Sequence, residues 1–387
     1  MGHLARALVD LDAITHNLAA LKTDKERMVI VKAGAYGHGL EPVSAHLWDL
    51  GIRWFGVAQL SEALQLRQTL PEARILSWIF RGGPDVEAAI SRNISLSVSD
   101  LAGLRTIEDA ASRVGVRPRI HLKIDTGMSR AGAPVAKWPA LCRYAHEAAA
   151  RGNIEVEGVW SHLSSADTRA GRALTVAAFA EFRAALETAK NAGIQPKWQH
   201  LGASAGALWH QDLPGNMVRL GIAVYGLSPE PTTQTEDEMG IIPALSLETE
   251  LMLVKKVAGG RPVSYGATWV TPSERYLGIV PVGYADGIHR LASGKARVLV
   301  ITEDGPVSVP QVGRICMDQF VVDLGENTGA KAGDKVVVFG PGTRGEPTVN
   351  EWAHWADTIN YEILTAVGPR VPRIPLRQNQ NPSARFG

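Results

Sequence analysis

A single lysine stands among small residues in VKAGAYGHGL, residues 31–40, where an apolar run gives way to Tyr36, Gly37, His38 and Gly39. Such an amine is a candidate for a Schiff base with an aldehyde. Further along, HLKID alternates His121, Lys123 and Asp125 with Leu122 and Ile124, so one face of an extended segment carries ionisable groups. Arg130 follows in TGMSR, His162 in WSHLSSAD, Ser204 in HLGASAG, and Arg219, Gly221 and Ile222 in RLGI. A serine hydroxyl and main-chain amides beside a glycine suit an anion, because the missing side chain lets the backbone approach closely. An amine at one edge and an anion anchor at the other are what pyridoxal phosphate requires. A lone lysine at a strand end is also commonly a surface or salt-bridged residue, and these residues alone leave both readings open.

Positioning such groups takes a frame. Short apolar runs predict strands near residues 28–31, 54–57, 75–79, 94–98, 120–124, 156–160, 198–201 and 217–224. The intervals read as amphipathic helices: one near Glu41 with Pro42 in its first turn, one capped by Ser61, and others over 100–113, 138–151 and 174–192. Eight strand–helix units argue for a closed parallel α/β barrel, a (β/α)8 fold, whose catalytic groups sit at the C-terminal ends of its strands. Lys32, the HLKID face, His162, Ser204 and Arg219 all fall at such ends or on the last strands, and the loops after strands seven and eight are where such barrels commonly hold phosphate. After 229–240, rich in Thr, Glu and Pro, the rhythm changes to short β-like runs at 251–257, 276–282, 296–301, 320–324 and 335–339, with one helical stretch at 349–367. The division expected is a barrel over 9–238 and a smaller all-β domain over 239–387, with residues 1–8 able to join the second; the polar tail after Arg377 is expected to be mobile.

Composition narrows the partners. Forty basic and 39 acidic residues leave a net charge of +1, which provides no electrostatic footprint for nucleic acid or an anionic membrane surface and favours a small neutral or zwitterionic ligand. Cys142 and Cys316 are the only cysteines, too few for a disulfide framework or a metal-binding pair, and no run approaches a membrane span. A cytoplasmic protein without a metal is expected.

The segments VKAGAYGHG, KIDTGMSR, WSHLSSAD, RLGIAVYG, VSYGATW, VGYADG, VGRICMDQF and INYE, in this order from about Val9 to about Arg373, resemble the signatures of alanine racemases. The resemblance implies a pyridoxal-phosphate enzyme that interconverts L- and D-alanine with two bases flanking Cα, supplying D-alanine for peptidoglycan. Lys32 and Tyr265 would be the bases. A tyrosine near its ordinary pKa of about 10 is a poor base, so a cationic neighbour must lower it, and His162 and Arg219 supply that logic. By the same likeness Arg219 faces the pyridine nitrogen, and Tyr36, Ser204, Gly221, Ile222 and Tyr361 form the phosphate site. Arg130 and the backbone of Met317 take the substrate carboxylate. Lys123 matches the lysine carbamylated in many relatives, Tyr284 and Tyr361 narrow the entrance, and Asp318 supports this shell. Tyr265 lies in the second domain and Lys32 in the barrel, and the family's arrangement, in which one subunit's β domain covers the other's barrel mouth, implies a homodimer with composite sites.

Two positions depart from the family's pattern: Gly34 stands where relatives commonly have Asn or Asp, and Ala203 where Asn often precedes the phosphate serine. An altered pocket with the reaction type intact is expected. Rival readings are an amino-acid decarboxylase of the same architecture and a non-catalytic pyridoxal-phosphate carrier, which typically consists of the barrel alone. Taken singly, Tyr265 reads as a packing residue, Lys123 as an ordinary salt-bridged lysine, His38 as a loop shaper, His200 as a satisfied neutral histidine and Cys316 as structural.

Overall fold

Aliphatic and β-branched runs too short for helices pair side by side and close on themselves. In the computed structural model, which describes residues 4–377, the strands Glu26–Ile30, Trp54–Gln59, Arg74–Ile79, Ser95–Val98, Arg119–Lys123, Glu155–Trp160, Trp198–His200 and Met217–Leu220 form a closed parallel barrel. The first strand pairs with the eighth through Glu26↔Met217 and Met28↔Arg219, so Lys32 and Arg219 come to one rim although 187 positions apart in the chain (219 − 32). The eighth strand is shorter than its apolar run: Gly221 breaks it, and Ile222–Tyr225 continues as a 3-10 turn. The polar tail after Arg377 lies outside the described residues.

Helices Leu40–Asp49, Leu60–Thr69, Pro84–Ser91, Leu101–Val114, Trp138–Ala150, Arg172–Asn191 and Ser204–Trp209 accompany the barrel. Ser61 is not the cap of Leu60–Thr69. Gln59 holds that place in a capping box with Glu62, because the helix starts two residues earlier than a Ser61 cap would allow. Trp54, Phe55, Trp138 and Phe182 are among the largest side chains fully removed from water. Each such burial contributes on the order of 1.5–3 kcal/mol.

The rest of the chain builds a nine-stranded sheet. Its order is Leu253–Val257, Arg275–Val280, Phe320–Gly325, Gly305–Val312, Arg297–Thr302, Lys335–Phe339, Leu245–Glu250, Ala5–Asp10 and Arg373–Leu376. Ala5–Asp10 pairs antiparallel with Leu245–Glu250 and parallel with Arg373–Leu376, tying both described ends of the chain to one sheet edge. Four strands of this sheet, Ala5–Asp10, Leu245–Glu250, Gly305–Val312 and Arg373–Leu376, lie outside the runs expected from the sequence. Gly305–Val312 contains Pro306 and Pro310, which argue locally against a strand, and Leu245–Glu250 is polar at alternate positions. The helical stretch near the end is two helices, Val349–Trp355 and Asn360–Ala366, split by Asp357 at φ 54. Among the described residues no helix is long and apolar enough to cross a membrane.

Candidate active site

The chain after the first barrel strand does something costly. Ala33, Gly34, Ala35 and Tyr36 have φ of 53, 61, 57 and 52, four successive left-handed residues making one turn of left-handed helix directly after Lys32. Each of the three with a side chain costs about 1–2 kcal/mol in this conformation. Hydrogen bonds hold it: Ala35 N–H donates to Val31 O (2.9 Å), Gly37 N–H to Ala33 O (2.9 Å), Gly39 N–H to Gly34 O (2.7 Å) and Ala33 N–H to the Glu62 carboxylate (2.6 Å). His38 Nδ1–H reaches the carbonyls of Ala35 and Tyr36 at 3.0 Å each, so this histidine does shape the loop; burial pushes its pKa down to about 4. Gly37 lies against the helix Asn360–Ala366 so tightly that a Cβ there would stand 2.3 Å from Leu364 O. Gly34 faces open space, and at φ 61 a glycine relieves one of four strained positions.

The turn delivers Lys32 into a cavity of about 550 Å³ at the C-terminal rim of the barrel. Lys32, Tyr36, Lys123, Arg130, His162, Ser204, Arg219, Gly221, Ile222 and Tyr361 all line it. Tyr265, Tyr284 and Met317 do not: they project from the β domain, Tyr265 with 73% of its surface exposed on a turn between Pro262–Val263 and Trp269–Val270. Asp318 is also exposed and pairs with Arg370 (2.7 Å). One chain therefore brings together the barrel residues and Tyr361, and leaves the other β-domain candidates outside its own cavity.

One end of the cavity suits an anion. Ser204 opens the helix Ser204–Trp209, whose preceding residue, Ala203, offers no side-chain cap, so its first amides have no capping side chain where the cavity begins. Gly221 N–H donates to Ser204 Oγ (3.0 Å), and a Cβ on Gly221 would meet the Tyr36 phenol oxygen at 2.5 Å. Tyr36 packs between Tyr225 and Tyr361, with ring centroids 5.0 and 6.2 Å away. Burial raises the pKa of both Tyr36 and Tyr361, keeping their hydroxyls protonated as donors.

The cavity is also cationic. Arg219 is fully buried without a carboxylate, its proton affinity pushed down to about 9 by burial. Its Nη1 donates to His200 O (3.0 Å) and His200 Nδ1 (3.1 Å), and its Nη2 to Ser161 O (2.8 Å), Leu201 O (2.9 Å) and His162 Nδ1 (3.0 Å). A guanidinium has no lone pair, so both imidazole Nδ1 atoms must accept and both protons sit on Nε2. His200 Nε2–H then donates to His121 Nδ1 (2.9 Å), and His121 Nε2–H to Glu157 Oε2 (3.3 Å). A chain of fixed tautomers thus runs from the cavity through the barrel interior to a carboxylate held also by Ser95 and Arg74. Burial, then Arg219, holds His162 and His200 well below the ordinary histidine range, so both are neutral at pH 7.

Two lysine amines share this field. Burial, then Arg130 and Arg219, lowers Lys32, with Glu62 opposing; burial, then Arg219 and Arg130, pushes Lys123 down to about 8. Lys123 has no acidic partner within ion-pair distance among the described residues and lies over Trp160, 4.3 Å from the ring centroid, so the salt-bridged reading of this lysine does not hold. Asp125 Oδ1 accepts the N–H groups of Gly127, Met128 and Ser129 (3.0, 3.0 and 3.1 Å), shaping the loop that carries Arg130. The residues sequence reasoning missed are Trp160 and Glu157, both buried, and Glu62, whose bond to Ala33 N–H spans 29 positions. An acidic residue three positions after a helix cap was a readable signal for Glu62's capping role, though not for its bond to Ala33.

Comparison with known proteins gives a consistent result. Residues 9–229 match the family model "Alanine racemase, N-terminal domain" and 244–375 match "Alanine racemase, C-terminal domain". A curated alanine racemase of Beutenbergia cavernae is 46% identical over 377 residues, covering 97% of this chain and 98% of the relative. The crystal structure of alanine racemase from D-cycloserine-producing Streptomyces lavendulae superposes with a TM-score of 0.93 at 41% identity, over 97% of this chain and 98% of that one. That of Bacillus anthracis alanine racemase with bound L-Ala-P gives 0.87 at 32% identity, over 98% and 97%.

Proposed function

The chain belongs to the alanine racemase family, an isomerase family, and from that premise we propose that its cavity holds pyridoxal phosphate and that Lys32 and the partner's Tyr265 are the two bases that invert alanine at Cα. The observation that carries this reading is one cavity lined both by an amine of lowered proton affinity and by an uncapped helix start with Ser204 and Gly221. The residues present fit the cofactor: the Ser204 hydroxyl accepts Gly221 N–H and keeps its own proton to donate to a phosphate, the Tyr36 hydroxyl is a second donor close to Gly221, and Ile222 and Tyr361 line the same cavity.

When bound, the cofactor would supply an aldehyde for the substrate amine and a conjugated ring that takes up the electron pair left at Cα. The protein's own residues do the rest. Lys32 holds and moves the proton on one face; its lowered proton affinity leaves more free amine at neutral pH than an exposed lysine would. Arg219, anchored by five hydrogen bonds to carbonyls and imidazoles, is positively charged at neutral pH and would disfavour protonation of the ring nitrogen. Arg130, with the main chain of the partner's Met317, takes the substrate carboxylate, and Lys123 as a carbamate would orient Arg130. Tyr361 and the partner's Tyr284 restrict the entrance to small side chains, with the partner's Asp318 in support.

Tyr265 is exposed and absent from its own chain's cavity, which supports a homodimer in which each β domain covers the other barrel mouth. The proposed role is supply of D-alanine for peptidoglycan in the cytoplasm, consistent with two free cysteines.

Incubating the enzyme with L-alanine in heavy water tests the reading. Exchange at Cα with inversion is expected, and Tyr265→Phe should slow abstraction from the L enantiomer by roughly 10²–10⁴-fold while retaining cofactor. Carbon dioxide release would favour the decarboxylase, and retained cofactor without any exchange the carrier.

A further inference from the structure

We infer that Glu62 is a positioning residue for Lys32: its carboxylate clamps the backbone N–H that follows the lysine to the start of the helix Leu60–Thr69. The observation is a division of labour between two oxygens. Oε2 accepts Ala58 N–H and Gln59 N–H (3.0 Å each), the bonds of an ordinary helix start. Oε1 reaches out of that helix to Ala33 N–H at 2.6 Å. Capping alone needs one acceptor, which a glutamine provides as well. The bond to Ala33 joins the ends of two neighbouring barrel strands, at the residue where the left-handed turn begins.

That position matters for two physical reasons. The turn Ala33–Tyr36 is strained, so the direction of the Lys32 stem is only as well defined as the bonds that hold the turn, and this bond fixes its first residue. The second reason is charge. Lys32 faces Arg130 from the loop after the fifth strand and Arg219 from the eighth; Lys123 of the fifth strand, neutral His162 after the sixth and the Tyr36 phenol lie in the same cavity. Against these Glu62 is the acidic group that favours the ammonium form of Lys32. One side chain therefore both aims the amine and limits how far its cationic surroundings depress it.

The inference rests on Lys32 being the amine that captures the cofactor, and its test separates the two. Full-length protein is mixed with pyridoxal phosphate across a pH series, the adduct is fixed with borohydride, and modification at Lys32 is quantified by peptide mass spectrometry. In Glu62→Gln the capture midpoint is expected to move to lower pH, because an anion facing the ammonium is gone, and the plateau rate to fall on the order of tenfold or more as the aim is lost. Glu62→Asp keeps charge and helix start but draws back by one methylene; it should hold the wild-type midpoint and still capture more slowly. Gln59→Ala, which weakens the same helix start without touching Ala33, should leave both midpoint and rate unchanged. A wild-type midpoint and rate in Glu62→Gln, a wild-type rate in Glu62→Asp, or the same changes in Gln59→Ala would each overturn the inference. Absence of any Lys32 adduct in the wild type would instead remove the reading of Lys32 on which it stands.

Discussion

The surroundings of Lys123 favour its free amine more than solvent would. It lies buried against the face of Trp160, and burial together with Arg219 and Arg130 brings its proton affinity down to about 8. The free amine, not the ammonium, adds carbon dioxide; the new N–C bond forms as a proton leaves the nitrogen. The group with a lowered pKa is mostly ammonium below that value and mostly amine above it, so loading should rise as pH climbs through about 8. Native mass spectrometry with labelled bicarbonate should show one added carbon dioxide that is lost on acidification, and Lys123→Met should abolish it. Gly34 and Ala203 act at the same scale. The first occupies a left-handed position facing open space, and the second leaves a helix start bare at the cavity.

At the scale of an element, the left-handed turn after the first barrel strand is stabilised from four directions: its own backbone bonds, His38, Glu62 and the close-packed helix Asn360–Ala366. Gly37 and Gly34 separate strain from collision. Gly37→Ala puts a methyl 2.3 Å from Leu364 O and is expected to destabilise by more than about 2 kcal/mol and to weaken cofactor retention. Gly34→Ala meets nothing within 4 Å and should cost at most about 1–2 kcal/mol, the left-handed penalty alone. Thermal unfolding of both variants, with cofactor absorbance followed in parallel, checks the contrast. The relay from Arg219 through His200 and His121 to Glu157 is a second element-scale device, in which one buried carboxylate fixes two tautomers so that the guanidinium always meets an acceptor.

For the whole molecule, the decisive question is where Tyr265 works. If each cavity takes Lys32 from one chain and Tyr265 from the other, Lys32→Ala and Tyr265→Phe are each inactive alone but complement on mixing. Half of randomly reassembled dimers are then mixed, each with one intact site, so activity should recover to roughly a quarter of wild type after subunit exchange. A mixture no more active than its components would place both bases in one chain. Partners and division of the chain follow the same logic: the N-terminal strand Ala5–Asp10 sits inside the β-domain sheet, so the barrel is linked to that domain at both ends of its sequence.

The barrel and most of the cavity lining at its rim were readable from the sequence, since short apolar runs alternating with amphipathic segments obey local periodicity and strand ends place Lys32, Lys123, His162, Ser204 and Arg219 on one rim. The motif order pointed to the family to which the chain belongs. Tertiary structure alone decided what those residues can do. Burial lowers both lysines, the eighth strand closes onto the first to bring Arg219 opposite Lys32, and contacts across 29 to 79 positions join Glu62 to Ala33, Glu157 to His121 and His121 to His200. The proline-bearing strand Gly305–Val312 and the left-handed turn were equally hidden. Local preference favours neither, and both exist because packing and hydrogen bonds from elsewhere in the chain outweigh it.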